Sequence, residues 1–166
     1  MHQNHELLMM GLTRFFSKPE HIEPVVCIVK GTSDISLRLI DWFITNYAKK
    51  NNSIAVTNDS TQFNIYHSYR TQLKTYSKHQ FDPFRRHERI RFVYGDNERG
   101  EIIETTVGQL NFFRWAIENN IISYIRENKK DIEEAMVKSG AVAASSSKEK
   151  GSSEILHRCK TTVSFD

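Results

Sequence analysis

The stretch TSDISLRLIDWFITNYAKK, residues 32–50, decides how the chain is read. Ile35, Leu37, Leu39, Ile40, Trp42, Phe43, Ile44 and Tyr47 put apolar side chains almost all round a helix. The polar residues Arg38, Asp41, Thr45 and Lys49 recur at steps of three and four, one narrow stripe. A helix with so little polar surface is packed on several sides. Thr32 or Ser33 supplies its cap, and it is expected to be the central core helix.

On the N-terminal side, Leu8, Leu12, Phe15 and Phe16 predict a short amphipathic helix over 5–16. Residues 17–23 read as a polar loop, and PVVCIV (24–29) as a buried strand broken by Gly31. On the C-terminal side, Ile54 and Val56, then Phe63 and Ile65, alternate around Asn58-Asp59, a hairpin over 53–66. A helix follows, with Tyr66, Tyr69, Leu73 and Tyr76 on one face and Arg70, Lys74 and Lys78 beside it. It must end near His79, because Pro83 opposes helix at Asp82. Phe81 and Phe84 are expected to anchor this Asp-Pro turn.

A second hairpin runs from Arg89 to Tyr94, turns through 95–100 and returns from Glu101 to Thr105. Thr106-Val107-Gly108-Gln109 reads as a capping box opening a helix through Lys138, divided at Asn119-Asn120. Trp42 and Trp115 are both expected to be largely buried. SGAVAASSSKEKGSS (139–153) is a Ser-rich linker. Residues 154–166 form a terminal strand or tail. The fold class expected is α+β: one small domain over 1–138, core helices packed on two hairpins, with a flexible C-terminal arm.

Charge is concentrated between Tyr66 and Arg91. Arg70, Lys74, Lys78, Arg85, Arg86, Arg89 and Arg91 stand against Asp82 and Glu88 there, leaving +5 where the 166-residue chain carries +3. Rings at Tyr66, Tyr69, Tyr76, Phe81 and Phe84 are interleaved. Cations between aromatic rings suit a phosphate backbone with stacked bases. The competing reading is a solvated face whose arginines pair with Glu98, Glu101 and Glu104 across the hairpin.

No nucleotide-binding glycine loop, nucleophile elbow or metal-ligand spacing occurs, and Cys27 has no activating neighbour in sequence. No catalytic residue, metal site or cofactor is expected. The N-terminus lacks a signal-peptide pattern, and no apolar run approaches the roughly 18 residues of a membrane span. Two isolated cysteines fit a reducing compartment.

Three blocks carry a resemblance: GTSDISLRLIDWFITNYAKKNN (31–52), YRTQLKTYSKHQFDPFRRHERI (69–90) and ETTVGQLNFFRWAIENNIISYI (104–125). Together they resemble an uncharacterised protein family of nucleocytoplasmic large DNA viruses, of the mimivirus and chlorovirus kind. In that family a cysteine follows the Asp-Pro-Phe turn; Arg85 stands there in this chain. The resemblance implies a viral protein of the host cytoplasm, at a viral factory, or of the virion. The expected function is non-enzymatic binding of nucleic acid, DNA included, through the seven basic residues. The alternative is a structural or interaction module whose basic face meets an acidic viral protein, with self-association open and no membrane partner.

Overall fold

From Gly108 to Ala116 every side chain but Arg114 is buried, so this helix, not that of residues 32–50, is the most enclosed element. The computed structural model describes residues 2–76, 79–94 and 100–140. The helices are α1 (His2–Phe15), α2 (Pro19–Lys30), α3 (Leu37–Trp42), α4 (Ala48–Asn51), α5 (Ile65–Tyr76), α6 (Val107–Glu118), α7 (Ile121–Glu127) and α8 (Lys129–Lys138). The strands are β1 (Ile54–Val56), β2 (Gln62–Asn64), β3 (Arg89–Tyr94) and β4 (Glu101–Thr106), paired as two separate antiparallel hairpins. The α+β class holds.

Residues 17–29 correct the sequence reading. They form α2, not a loop and a strand. A six-residue apolar run fits either element, and the flanks decide. Pro19 opens the helix, where its missing N–H costs nothing. Gly31 takes the left-handed φ of 77° that closes it, and Thr32 donates its N–H to the Cys27 carbonyl at 2.9 Å. Ile22, Val25 and Ile28 are buried at a spacing of three, along one face of the helix. His21 stacks on Phe15 at 3.9 Å, and its Nδ1 meets the Phe15 carbonyl at 2.7 Å, fixing the α1–α2 corner.

With Thr32 and Ser33 occupied by the end of α2, the cap of α3 moves to Ser36. Its Oγ accepts the Leu39 N–H at 3.0 Å. A π-helical turn, Phe43–Tyr47, joins α3 to α4 without interruption. Leu39, Ile40, Phe43, Ile44 and Ala48 are buried, and Trp42 is partly buried where it packs against them. This helix packs on α5 and α8, while α1, α2 and α7 pack on α6.

The first hairpin pairs Ala55 with Phe63 across a turn where Asp59 accepts hydrogen bonds from Thr57 and Thr61. The second pairs Phe92 with Ile103 and Arg91 with Glu104, and Phe92 reaches Phe16 at 6.1 Å. Half of the expected capping box forms. Thr106 Oγ1 accepts the Gln109 N–H at 3.0 Å, but the Gln109 side chain turns elsewhere. Asn120, at φ 59°, divides α6 from α7 as expected. Asn128 adds a second break before α8. The hairpin tip 95–99 and residues 141–166, hence most of the linker and the whole tail, lie outside the described residues.

Candidate nucleic-acid interface

The Asp-Pro turn is fixed to the start of α6 by three separate interactions. Asp82 donates its N–H to the Gly108 carbonyl at 3.2 Å. Asn111 Nδ2 donates to the Gln80 carbonyl at 2.9 Å, and Gln109 Nε2 to the Pro83 carbonyl at 2.8 Å. Gly108 lets the two backbones approach closely: a Cβ would stand 3.0 Å from the His79 carbonyl oxygen and 3.2 Å from the Phe81 nitrogen, so the turn would have to give by a few tenths of an ångström. Phe81 is buried among Tyr69, Tyr76, Phe112 and Trp115, with ring centroids 5.5–6.0 Å away. Phe84 is only half-buried, so of the two expected anchors Phe81 alone lies in the core.

From this rigid turn the arginines diverge. Arg86 lies over the Phe84 ring at 4.6 Å, with Nε 3.6 Å from Asp82. Arg85 points the other way and donates to the Glu104 carbonyl at 3.1 Å. Arg89 donates to the Glu104 carboxylate at 2.7 Å and to the Arg85 carbonyl at 3.4 Å. Arg91 is exposed opposite Glu104 in the ladder. The Arg89 hydrogen bond holds the Glu104 carboxyl below its usual range, helped by the charges of Arg89, Arg85 and Arg91. Part of the competing reading is thereby realised: Glu104 does pair with this cluster. Both partners are exposed, so this ion pair contributes little to stability.

On α5, Arg70 and Lys74 are exposed one turn apart; Lys78 lies outside the described residues. The Tyr66 ring is approached by Arg70 at 6.0 Å and by Lys49 at 5.5 Å. Lys49 was missed as a site residue, because the sequence places it only on the polar stripe of another helix. The packing of α4 against α5 brings it to the ring. Of the seven predicted residues, Arg85, Arg89 and Arg91 thus gather around Glu104, and Arg70 joins Lys49 at Tyr66. Arg86 belongs to neither group and is held by Phe84 and Asp82.

A polar seam runs behind Arg86. Burial pushes the Asp41 carboxyl above its usual range; the Arg86 charge opposes this and Asp82 adds to it. Burial also raises the Tyr69 phenol, with Asp41 and Asp82 contributing. A carboxyl whose folded value exceeds its unfolded one costs stability once ionised in both states, and costs nothing when protonated in both. Asp41→Asn is therefore expected to raise the thermal midpoint at pH 7 and to leave it unchanged near pH ~3, below the ordinary aspartate value of about 3.9. Melting curves at the two pH values check this. A lower midpoint at pH 7 would mean that the Arg86 attraction outweighs burial.

Residues 1–163 match the family of unknown function DUF7197. The chain is also 38% identical over 159 residues to "Uncharacterized protein L507" of Acanthamoeba polyphaga mimivirus, covering 92% of this chain and 61% of that protein. It therefore spans about three fifths of the length of this curated relative. No solved structure matches. The chain belongs to the DUF7197 family, and the viral resemblance carried by its three blocks holds.

Proposed function

We propose that this member of the DUF7197 family is a non-enzymatic viral protein that binds nucleic acid, in the viral factory or the virion, through α5, the Asp-Pro turn and the β3–β4 hairpin. The observation that carries the reading is the interleaving of half-buried rings with cations. Tyr66 lies beside Lys49 and Arg70, and Phe84 lies under Arg86. Rings in such positions offer bases a stacking surface while the cations meet phosphates. The turn supporting Arg85 and Arg86 is rigid, so little order must be gained on binding.

Each phosphate contact on duplex DNA contributes roughly −0.9 to the slope of log K against log salt. Engagement of about four of the exposed cations gives a slope of about −4. The double substitution Arg70→Ala, Arg86→Ala should weaken binding to unrelated sequences alike and make the slope shallower by about two. Tyr66→Ala should weaken single strands more than duplex, because it removes a stacking surface. Fluorescence anisotropy across a salt series reads all three. Absence of binding at low salt, or an unchanged slope in the double variant, would overturn the reading.

An acidic protein partner is the second reading. It is favoured by Val93 and Ile102, which face each other across the hairpin and are both exposed. An apolar spot beside arginines suits a protein surface better than a phosphate backbone.

A further inference from the structure

His79 and His87 are eight residues apart, and the sequence gives no metal-ligand spacing there. The Asp-Pro turn folds between them and brings their Nδ1 atoms to 3.1 Å, with ring centroids 4.3 Å apart. Two nitrogens bound at about 2.0–2.1 Å to one tetrahedral zinc ion stand roughly 3.3 Å apart. The two imidazoles therefore already hold the separation that a single metal ion imposes. Their backbones are held as well. The chain next to His79 is fixed by Asn111 at Gln80 and by the close approach of Gly108, and the Arg89 guanidinium reaches back to the Arg85 carbonyl.

We propose that His79 and His87 form a two-histidine chelate, through both Nδ1 atoms, for a divalent cation of the zinc class. Among the described residues no third His, Cys, Asp or Glu joins them, so water completes the coordination. Imidazole selects zinc, nickel or copper over magnesium and calcium, which prefer oxygen ligands. The arginines nearby repel a dication, which keeps the affinity modest. The repulsion is limited because Arg85 is turned toward Glu104 and Arg86 toward Asp82, and Glu88 adjoins His87. The ion would replace a hydrogen bond between the rings by two metal bonds. It would staple the chain beyond α5 to the chain entering β3, closing a loop around Arg85 and Arg86. The metal site does not rest on the nucleic-acid reading; only the consequence for those arginines does.

Calorimetric titration of the full chain with zinc at neutral pH tests the site, with thermal melts alongside. One equivalent should bind, undisturbed by excess magnesium, and raise the melting temperature as zinc exceeds its Kd. His79→Ala and His87→Ala should each weaken this binding by about tenfold or more, because either loses the advantage of the second donor. His67→Ala, on the exposed face of α5, should change nothing. Both rings are on the surface side of the turn, and melts without zinc verify that the variants fold. Zinc binding that is absent up to about 1 mM, or roughly −4 kcal/mol, or that is equal in the wild type and both variants, would overturn the proposal. An increase in arginine-dependent DNA affinity on adding zinc would tie the staple to the nucleic-acid surface. Zinc binding without it would leave the metal site standing and remove that consequence.

Discussion

Replacing Trp115 with alanine is expected to lower the unfolding free energy by about 3–5 kcal/mol, the usual cost of truncating a buried aromatic residue. The indole is 5% exposed. It meets Phe81 at 5.5 Å, Phe112 at 5.7 Å and Tyr69 at 6.1 Å, and its Nε1 donates to Ser68 Oγ at 2.9 Å. Alanine would leave a cavity walled by rigid rings that belong to α5, α6 and the Asp-Pro turn. Those elements cannot collapse together without breaking the hydrogen bonds at Gln80, Asp82 and Pro83, so the cavity would persist. Urea denaturation should show a lower midpoint at an unchanged slope. Trp42→Ala, at a half-buried site, should cost less. Equal losses at the two positions, or a loss below about 1 kcal/mol at Trp115, would contradict this account of the core.

Period and caps made much of this architecture legible. Alternation located both hairpins, although in the first Ala55 rather than Ile54 and Val56 faces inward and Ile65 already opens α5; Thr106 marked the start of α6, and the Asn119-Asn120 pair marked its end. The reading of 24–29 as a strand failed because a six-residue apolar run has no period of its own. Pro19 and Gly31, the two residues that frame α2, held the missing information. The cap assigned to Thr32 or Ser33 failed in consequence, since a residue that closes one helix is not free to open the next. At the candidate site, sequence located the basic residues but not their company. The pairing of Lys49 with Tyr66 depends on how α4 meets α5, and the meeting of His79 with His87 on how the turn between them folds. Neither packing relation has a local signal. Gln109 is a third instance. Its position in a capping box suggested a bond back to the helix start, but the side chain serves a strand and a turn that approach from elsewhere.

Gln109 gives the second large effect. Its side chain is fully buried. Oε1 accepts from Thr105 Oγ1 at 2.7 Å and Nε2 donates to the Pro83 carbonyl at 2.8 Å, so one amide joins β4, α6 and the Asp-Pro turn. Truncation takes the Gln109 donor from the Pro83 carbonyl and leaves the Thr105 hydroxyl only the Thr106 carbonyl at 3.4 Å, and a buried polar group left unsatisfied costs about 1–3 kcal/mol. With the cavity added, Gln109→Ala is expected to cost about 3–5 kcal/mol. Gln109→Glu makes the origin of the loss testable. A neutral carboxylic acid can accept from Thr105 and donate to Pro83, whereas a carboxylate can do only the first. The buried glutamate should therefore have a folded value above its unfolded one, and its penalty should be present at neutral pH and fade as pH falls through that range. Urea midpoints at pH ~7 and ~5, above and near the usual glutamate range, should show the deficit of the Glu variant shrinking on acidification. That of the Ala variant should stay constant. A deficit of the Glu variant that does not change with pH would mean that the Pro83 hydrogen bond contributes little. The same substitution separates positioning from contact at the proposed nucleic-acid surface. Gln109→Ala removes no cation, so it should weaken DNA binding by loosening the turn while keeping the salt slope of the wild type. Loss of Arg86 should change the slope itself. If Gln109→Ala made the slope shallower to the same degree, the turn's cations would depend on this one amide to reach phosphate at all.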